Sequence, residues 1–422
     1  MFTRLFSLVA LCVVATTAKP VDLRDSAVTL PIARRFNLTS GGARVIDADK
    51  ARAKFLVERA RGLHQDRPAA QASDSSEVPI TNTVLQYTVS IGVGTPPTEY
   101  NLVVDTGSSN TWVGANKTYV QTDTSIDTGV GVTQSLLTQE VSYGSGVFRG
   151  EEFLDTLTIG DVVIKNQSIG DANVFAIGFF QGVDGILGLG PTDLSVNTTG
   201  TPGVVPTVLD NAFEQGLIDQ KLIGVAMAPN GNASAVTNGE LTIGGMDPSK
   251  YTGDLTFVPL TTTTPASKYV GIDQSLTYGS ANAVVMPTTA GIVDTGTTLT
   301  LLASDYFVAY LGASGAKRDF KTGFLRLNPD QVSSLQSLFF HIGNTTYEFP
   351  PDAQIWPRAF NSLIGGDDSH VYLVIGDLGM NSGQGLDFVN GMTFLERFYH
   401  VFDAENNLAG FATTPFTNAV VN

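Results

Sequence analysis

The sequence predicts a mostly β protein of two homologous lobes with a cleft between them. Two observations carry this expectation: a hydrophobic segment ending in Asp-Thr-Gly that occurs twice, half a chain apart, and a succession of short strands punctuated by turn residues from Val78 onward. Composition agrees. Only 15% of the 422 residues are charged and 44 are Gly, a turn-rich profile that suits short strands better than long helices. At about 100–200 residues per domain, the length allows two lobes with a sizeable core.

The repeat is Leu102-Val-Val-Asp-Thr-Gly-Ser-Ser109 and Gly291-Ile-Val-Asp-Thr-Gly-Thr-Thr298. A short apolar segment ending in Gly follows each copy, Ile186-Leu-Gly188 and Phe388-Val-Asn-Gly391. A lone Asp-Thr-Gly reads as an ordinary turn; a symmetric pair at half-length reads as a duplicated domain with a pseudo-two-fold axis. That axis brings Asp105 and Asp294 together where the halves meet. Two carboxylates in hydrogen-bonding reach share a proton, and their titration belongs to the pair. One then serves as base while the other serves as acid. Gly107 and Gly296 let the chain turn tightly and bring its N–H groups to the carboxylates. Ser108 and Thr297 are placed to donate to the outer carboxylate oxygens, and Thr106 and Thr295 to tie the two loops together. A water between Asp105 and Asp294 is the expected nucleophile, deprotonated as it attacks an amide carbonyl.

The flanking elements follow from local pattern. Thr83–Ile91 alternates apolar and polar residues and ends in Gly92-Val-Gly-Thr-Pro-Pro97, so it reads as a half-buried strand. Glu99–Val104 reads as the next one. Helix signals are few: Pro206–Gly216, and Ala303–Leu311 with Ser304 or Asp305 as its cap.

The first residues have the layout of a secretory signal: Arg4, an apolar run from Leu5 to about Val14, then small residues to Ala18. Residues 1–18 are therefore expected to be removed, and with them Cys12, the one cysteine of the chain. Residues 19–72 carry 11 basic and 6 acidic side chains, against 12 and 34 in residues 73–422. The stretch Asp49–Arg61 within this basic segment is compatible with a helix. A flexible basic arm is one reading. A propeptide over residues 19–75, its end lying between about 70 and 77, fits better, because the segment lies between a signal sequence and a polar linker. Residues 76–253 and 254–422 are the expected lobes.

The charge balance argues against a nucleic-acid partner, since phosphate binding needs basic patches. No second apolar run approaches transmembrane length. The four His (His64, His341, His370, His400) form no His-Glu-x-x-His arrangement, and Gly185–Gly190 lacks the order and the basic residue of a phosphate loop. No cofactor and no metal are expected. Six Asn-x-Ser/Thr sequons occur: Asn37 in the basic segment, and Asn116, Asn166, Asn197, Asn232 and Asn344 beyond it. The last five are candidates for glycosylation.

At these residues the chain resembles the pepsin family of aspartic endopeptidases, across essentially all of residues 78–416. Asp105–Val113 resembles the first active-site loop of the family, Val141-Ser-Tyr-Gly-Ser-Gly146 its flap, and Val183–Gly190 the segment threaded behind that loop. The resemblance implies a bilobal pepsin-like fold with Asp105 and Asp294 catalytic. It makes Tyr143, Gly144 and Ser145 the flap over substrate, and Trp112 the tryptophan beneath it. It also implies protein and peptide substrates, the chain's own propeptide and pepstatin-type inhibitors as partners, and a secreted monomer working at acid pH. With no mature cysteine, and with Asn390-Gly391 ahead of Thr393–Tyr399, the chain is similar to the polyporopepsin-type subgroup of basidiomycete fungi. Two positions depart from the broad pattern. Asn390 stands where the family has an aliphatic residue, and Ser145 stands where some fungal members carry Asp, which favours bulky apolar residues over Lys around the scissile bond. Two other readings compete. An inactive pepsin-fold binding protein would be expected to lack an aspartate or the flap tyrosine. A glycosidase using paired carboxylates would want more than the two Trp, Trp112 and Trp356.

Overall fold

A computed structural model describes residues 27–36, 45–62, 85–135, 147–177, 182–200, 202–231 and 236–422. Strands dominate, and their order is set by the Asp-Thr-Gly repeat. Strand β1 spans Val28–Phe36, helix α1 Val45–Ala60, strand β2 Leu85–Val93 and strand β3 Thr98–Asp105. Tyr87, Val89, Ile91 and Val93 of β2, the apolar positions of the alternation that marks this strand in the sequence, are buried, with Thr88 and Gly92 buried between them and Ser90 exposed. In β3 the run Leu102-Val-Val104 is buried without alternation, as expected of a strand covered on both faces.

β2 and β3 belong to a closed ring of six strands. β2 pairs with β3, β3 runs parallel to Gly185–Gly188, and that strand pairs with Trp112–Val113. Trp112–Val113 pairs with Val162–Ile177, which pairs with Val147–Ile159, and Val147–Ile159 returns to β2. Gly185 is required for this closure: a Cβ there would overlap the Trp112 carbonyl oxygen. The second lobe repeats the plan in an open sheet of seven strands, in which Ala283–Val293 runs parallel to Phe388–Asn390. Both Asp-Thr-Gly segments thus leave the C-terminal end of a central strand with a parallel neighbour threaded behind it.

A platform joins the lobes and draws on both halves of the chain. Its strands run Thr252–Pro259, Leu408–Thr413, Phe398–Asp403, Leu222–Ala226, Val236–Ile243 and then β1, which also pairs with β2. The basic N-terminal segment therefore supplies an interior strand. Pattern reading does not find it, because Pro31 argues against an interior strand; the register shifts between Ile32 and Ala33, a bulge beside that proline.

The two expected helices form as Val208–Glu214 and Ser304–Ser314. The first is closed by a Thr207–Asp210 capping box. The second departs from expectation, since Ala303 occupies the cap position without a side-chain bond. Ser304 Oγ donates to Asp377 and Asp305 accepts from Ser382, so neither is available to cap. One continuous apolar core takes in both lobes together with Leu30, Ile32, Ile46, Phe55 and Leu56 of the N-terminal segment. No helix among the described residues is long and apolar enough to cross a membrane.

Candidate active site

The two Asp-Thr-Gly loops meet at the lobe interface. Gly107 N–H donates to Asp105 Oδ1 at 3.0 Å and Ser108 Oγ donates to Asp105 Oδ2 at 2.6 Å. Gly296 N–H and Thr297 Oγ1 make the same two bonds to Asp294, at 3.0 and 2.5 Å. The glycines face the opposite aspartate: a Cβ on Gly107 would stand 2.8 Å from Asp294 Oδ1, and one on Gly296 2.6 Å from Asp105 Oδ1. Any larger residue would push the pair apart. The threonines cross over. Thr106 N–H donates to Thr295 Oγ1 and Thr295 N–H to Thr106 Oγ1, both at 3.0 Å, while Thr295 Oγ1 donates to the Val104 carbonyl at 2.8 Å.

Between the carboxylates lies Arg52 of α1. Its Nη2 is 2.5 Å from Asp105 Oδ1 and donates to Asp294 Oδ1 at 2.9 Å, while Nε donates to Asp294 Oδ2 at 2.7 Å. The planar fork of a guanidinium suits this bridging; a lysine has one point of charge. Burial alone would raise the Asp294 carboxyl, but the Arg52 charge and hydrogen bonds from Arg52, Thr297 and Gly296 hold it below the usual aspartate value. Burial would lower the Arg52 guanidinium, and the two carboxylates instead raise it.

Contacts along α1 reach both lobes. Lys50 Nζ is 3.2 Å from Asp377, Tyr269 OH donates to the Leu56 carbonyl at 2.8 Å, and Arg59 donates to the Leu194 carbonyl. One turn before Arg52, buried Asp49 accepts the N–H groups of Thr298 and Leu299 at 3.1 and 2.8 Å. Burial pushes the Asp49 carboxyl up to about 7, and the two N–H bonds and Arg52 offset this only in part.

The arrangement contains two residues that sequence reading did not single out. Arg52 was one of 11 bases in the N-terminal segment, and only the docking of α1 distinguishes it from its neighbours. Gln274 is the second. Asn390, which departs from an aliphatic pattern, has its amide in a reciprocal pair with Gln274: Asn390 Nδ2 donates at 2.8 Å and Gln274 Nε2 donates back at 3.2 Å. Both are fully buried, and the Asn390 carbonyl accepts the Asp294 N–H at 3.1 Å. Asn390→Leu should therefore destabilise the protein by about 1–3 kcal/mol, because a buried Gln274 amide is left without its partner. Adding Gln274→Leu should recover most of that loss in denaturant unfolding; a double variant less stable than the single one would contradict the pairing.

Trp112 is buried and stacks on Phe148 with ring centroids 4.3 Å apart. Tyr143, Gly144 and Ser145 lie outside the described residues, as do Asn37 and Asn232. The other sequon asparagines, Asn116, Asn166, Asn197 and Asn344, are all exposed. Among the described residues, no cluster of His, Cys, Asp and Glu is arranged to hold a metal ion.

A sequence model of the family described as eukaryotic aspartyl protease matches residues 86–414. Polyporopepsin from Irpex lacteus is 53% identical over 350 residues, 82% of this chain and the whole of that protein. Human gastricsin is 32% identical over 334 residues, 78% of this chain and 81% of gastricsin. The crystal structure of the aspartic proteinase from Irpex lacteus superposes with a TM-score of 0.77 at 47% identity, covering 94% of this chain and all of that one. With two Asp-Thr-Gly loops interlocked at the lobe interface and relatives of this kind along most of its length, the chain belongs to the eukaryotic aspartyl proteases and is a pepsin-like aspartic endopeptidase.

Proposed function

We propose that the chain is the zymogen of a secreted endopeptidase that hydrolyses proteins at acid pH, using a water activated between Asp105 and Asp294. The observation that carries this reading is Arg52, which bridges both carboxylates from a segment whose charge is opposite to that of the rest. In this account residues 1–18 are the signal peptide, 19–75 the propeptide, 76–253 the N-terminal lobe and 254–422 the C-terminal lobe. The match of 350 residues to the full length of polyporopepsin supports a matured chain of that size.

Once Arg52 leaves, the two buried carboxylates cannot both stay ionised side by side, so the pair takes up one proton. The ionised member removes a proton from the water as its oxygen attacks the scissile carbonyl. The protonated member donates to the carbonyl oxygen, giving a neutral tetrahedral intermediate. The member that took the water proton passes it to the amide nitrogen while the other removes a proton from a hydroxyl of the intermediate, so that the C–N bond breaks, a carboxylic acid and an amine leave, and the pair is again singly protonated. Ser108 and Thr297 keep the outer oxygens occupied, which leaves the inner ones for chemistry. A preference for bulky apolar residues around the scissile bond, and glycosylation at exposed sequons, belong to the same reading.

The sign of the pH dependence follows from the aspartates. Asp294 is held below its ordinary value of 3.8 while Arg52 is docked, whereas the undocked pair keeps one proton to higher pH than a lone aspartate, so docking is favoured where that pair would have to ionise and weakens as the pH falls and the pair takes up its proton. Asp49 works the other way. Held up near 7, it binds its proton more firmly when docked and favours docking as the pH falls from 7 towards 3.8. Acid release therefore rests on the Arg52 clamp. A decisive assay is hydrolysis of a denatured protein at acid pH by the matured chain, titrated with pepstatin. One equivalent should abolish activity; activity that survives an excess would contradict the reading.

A further inference from the structure

Besides Arg52, α1 lays Ile46, Asp49 and Lys50 along one wall of the cleft, and that wall belongs to the second lobe. A Cβ on Gly376 would stand 2.8 Å from Ile46 Cδ1, and one on Gly379 3.5 Å from Lys50 Cδ, so two glycines make room for these side chains. Lys50 Nζ donates to Asp377 Oδ2 at 3.2 Å. Asp377 ends the short strand Ile375–Asp377, and its carboxylate is fixed without α1: Oδ1 accepts from Ser304 Oγ at 2.6 Å and from Gly379 N–H at 2.9 Å. Arg318 Nη1 is 3.8 Å from Oδ2, beyond hydrogen-bond distance. Its side chain is 42% exposed, with Cζ 4.8 Å from the centre of the Phe307 ring. The one close cation on Oδ2 among the described residues is therefore carried by α1.

We infer that Asp377 is a specificity-determining residue of the matured enzyme, selecting substrates that carry a lysine a few residues from the scissile bond. The inference rests on the reading above, in which α1 covers the cleft of an acid endopeptidase and then leaves it to substrate. Lys50 shows what the wall accepts. An aliphatic stem lies over a glycine, and a single free carboxylate oxygen takes the ammonium. A guanidinium fork would want both oxygens, and Oδ1 is already occupied. Arg52 marks the reacting atoms, and Lys50 lies two residues before it. Two helical residues advance the chain by about 3 Å and the lysine stem reaches about 6 Å further. An extended substrate covers about 3.3 Å per residue, which places the selected lysine two to four residues from the bond cleaved.

Charge recognition in acid requires a carboxylate that stays ionised there. Burial alone would raise the Asp377 carboxyl, but hydrogen bonds from Ser304 and Gly379, together with Lys50, hold it below its ordinary value of 3.8. The first two donors remain when α1 leaves, so the group keeps its charge in mild acid. The lysine preference is then full above 3.8 and is lost as the pH falls through the lowered value.

The test uses the matured enzyme and peptides with one apolar scissile pair, in which lysine or its neutral isostere norleucine occupies each position up to four residues away on either side. The readout is the ratio of kcat/KM for lysine to that for norleucine at the same position, which does not depend on the amount of active enzyme. At pH 5 this ratio should reach about tenfold at one position, the size of one hydrogen bond to a charged group, and arginine there should gain less. The ratio should fall towards one as the pH is lowered to 2. Asp377→Asn can keep both bonds to Oδ1 while its Nδ2 replaces the free oxygen, and its ratio should stay near one at every position. A wild-type ratio near one throughout, a preference that does not fall between pH 5 and pH 2, or a preference undiminished in Asp377→Asn would overturn the assignment. Failure of the matured wild-type chain to cleave any of the peptides would instead overturn the acid endopeptidase reading on which it rests.

Discussion

Asp294→Asn in the matured protein should lower kcat on a denatured protein by about 10³–10⁴, with KM little changed, because in the proposed mechanism the group removed moves a proton in the transition state. The amide is nearly isosteric and can still accept the Gly296 N–H, which spans 3.0 Å to Asp294 Oδ1. It cannot share a proton with Asp105. The crossed Thr106 and Thr295 bonds do not involve the carboxylate, so thermal stability should stay near that of wild type. Asp105→Asn should behave alike, and the double variant should be scarcely worse than either single one, since the two act as a unit. A single variant retaining kcat within tenfold of wild type would remove the paired-carboxylate mechanism.

Arg52→Ala in the full chain should abolish latency. The guanidinium is nearly buried, at 11% exposure against 1% and 0% for its two partners. Deleting one partner of such a cluster leaves uncompensated buried charge, a loss of about 3–5 kcal/mol. That corresponds to a cleft opening roughly 10²–10⁴ times more often at about 1.4 kcal/mol per tenfold, and the variant should cleave its own N-terminal segment well above the pH at which wild type does. Arg52→Lys should fall between the two, because one ammonium cannot reproduce three hydrogen bonds to two carboxylates. Time courses of chain mass at pH 4, 5 and 6 separate these cases. An Arg52→Ala chain as latent as wild type would show that the rest of α1, including the Asp49 bonds to Thr298 and Leu299, closes the cleft unaided.

Much of this was legible in the sequence, for physical reasons that also mark where reading stops. The Asp-Thr-Gly repeat is local, and it dictates both the strand that delivers each aspartate and the glycine that lets the loops meet. Alternation identifies β2, and continuous apolarity identifies β3. The long-range partners are different. Gln274 and Asn390 are 116 positions apart, and nothing near either residue announces the other; Asn390 reads only as an anomaly. β1 was missed because Pro31 and the paired arginines that follow contradict an interior strand, and the bulge against Val236–Ile243 and the buried Glu396, 3.2 Å from Arg34, come from elsewhere in the chain. The stretch around Arg52 reads only as basic and compatible with a helix. Which arginine meets the aspartates depends on how α1 docks, a tertiary property.

The central claim is that one pair of aspartates performs hydrolysis and that Arg52 closes it until acid opens it. Titration of the intact full-length chain with pepstatin, by calorimetry at pH 7 and again within seconds of acidification to pH 3, tests both halves at once. The account predicts no binding at pH 7 and one equivalent bound tightly at pH 3. Tight stoichiometric binding to the intact chain at pH 7 would contradict it.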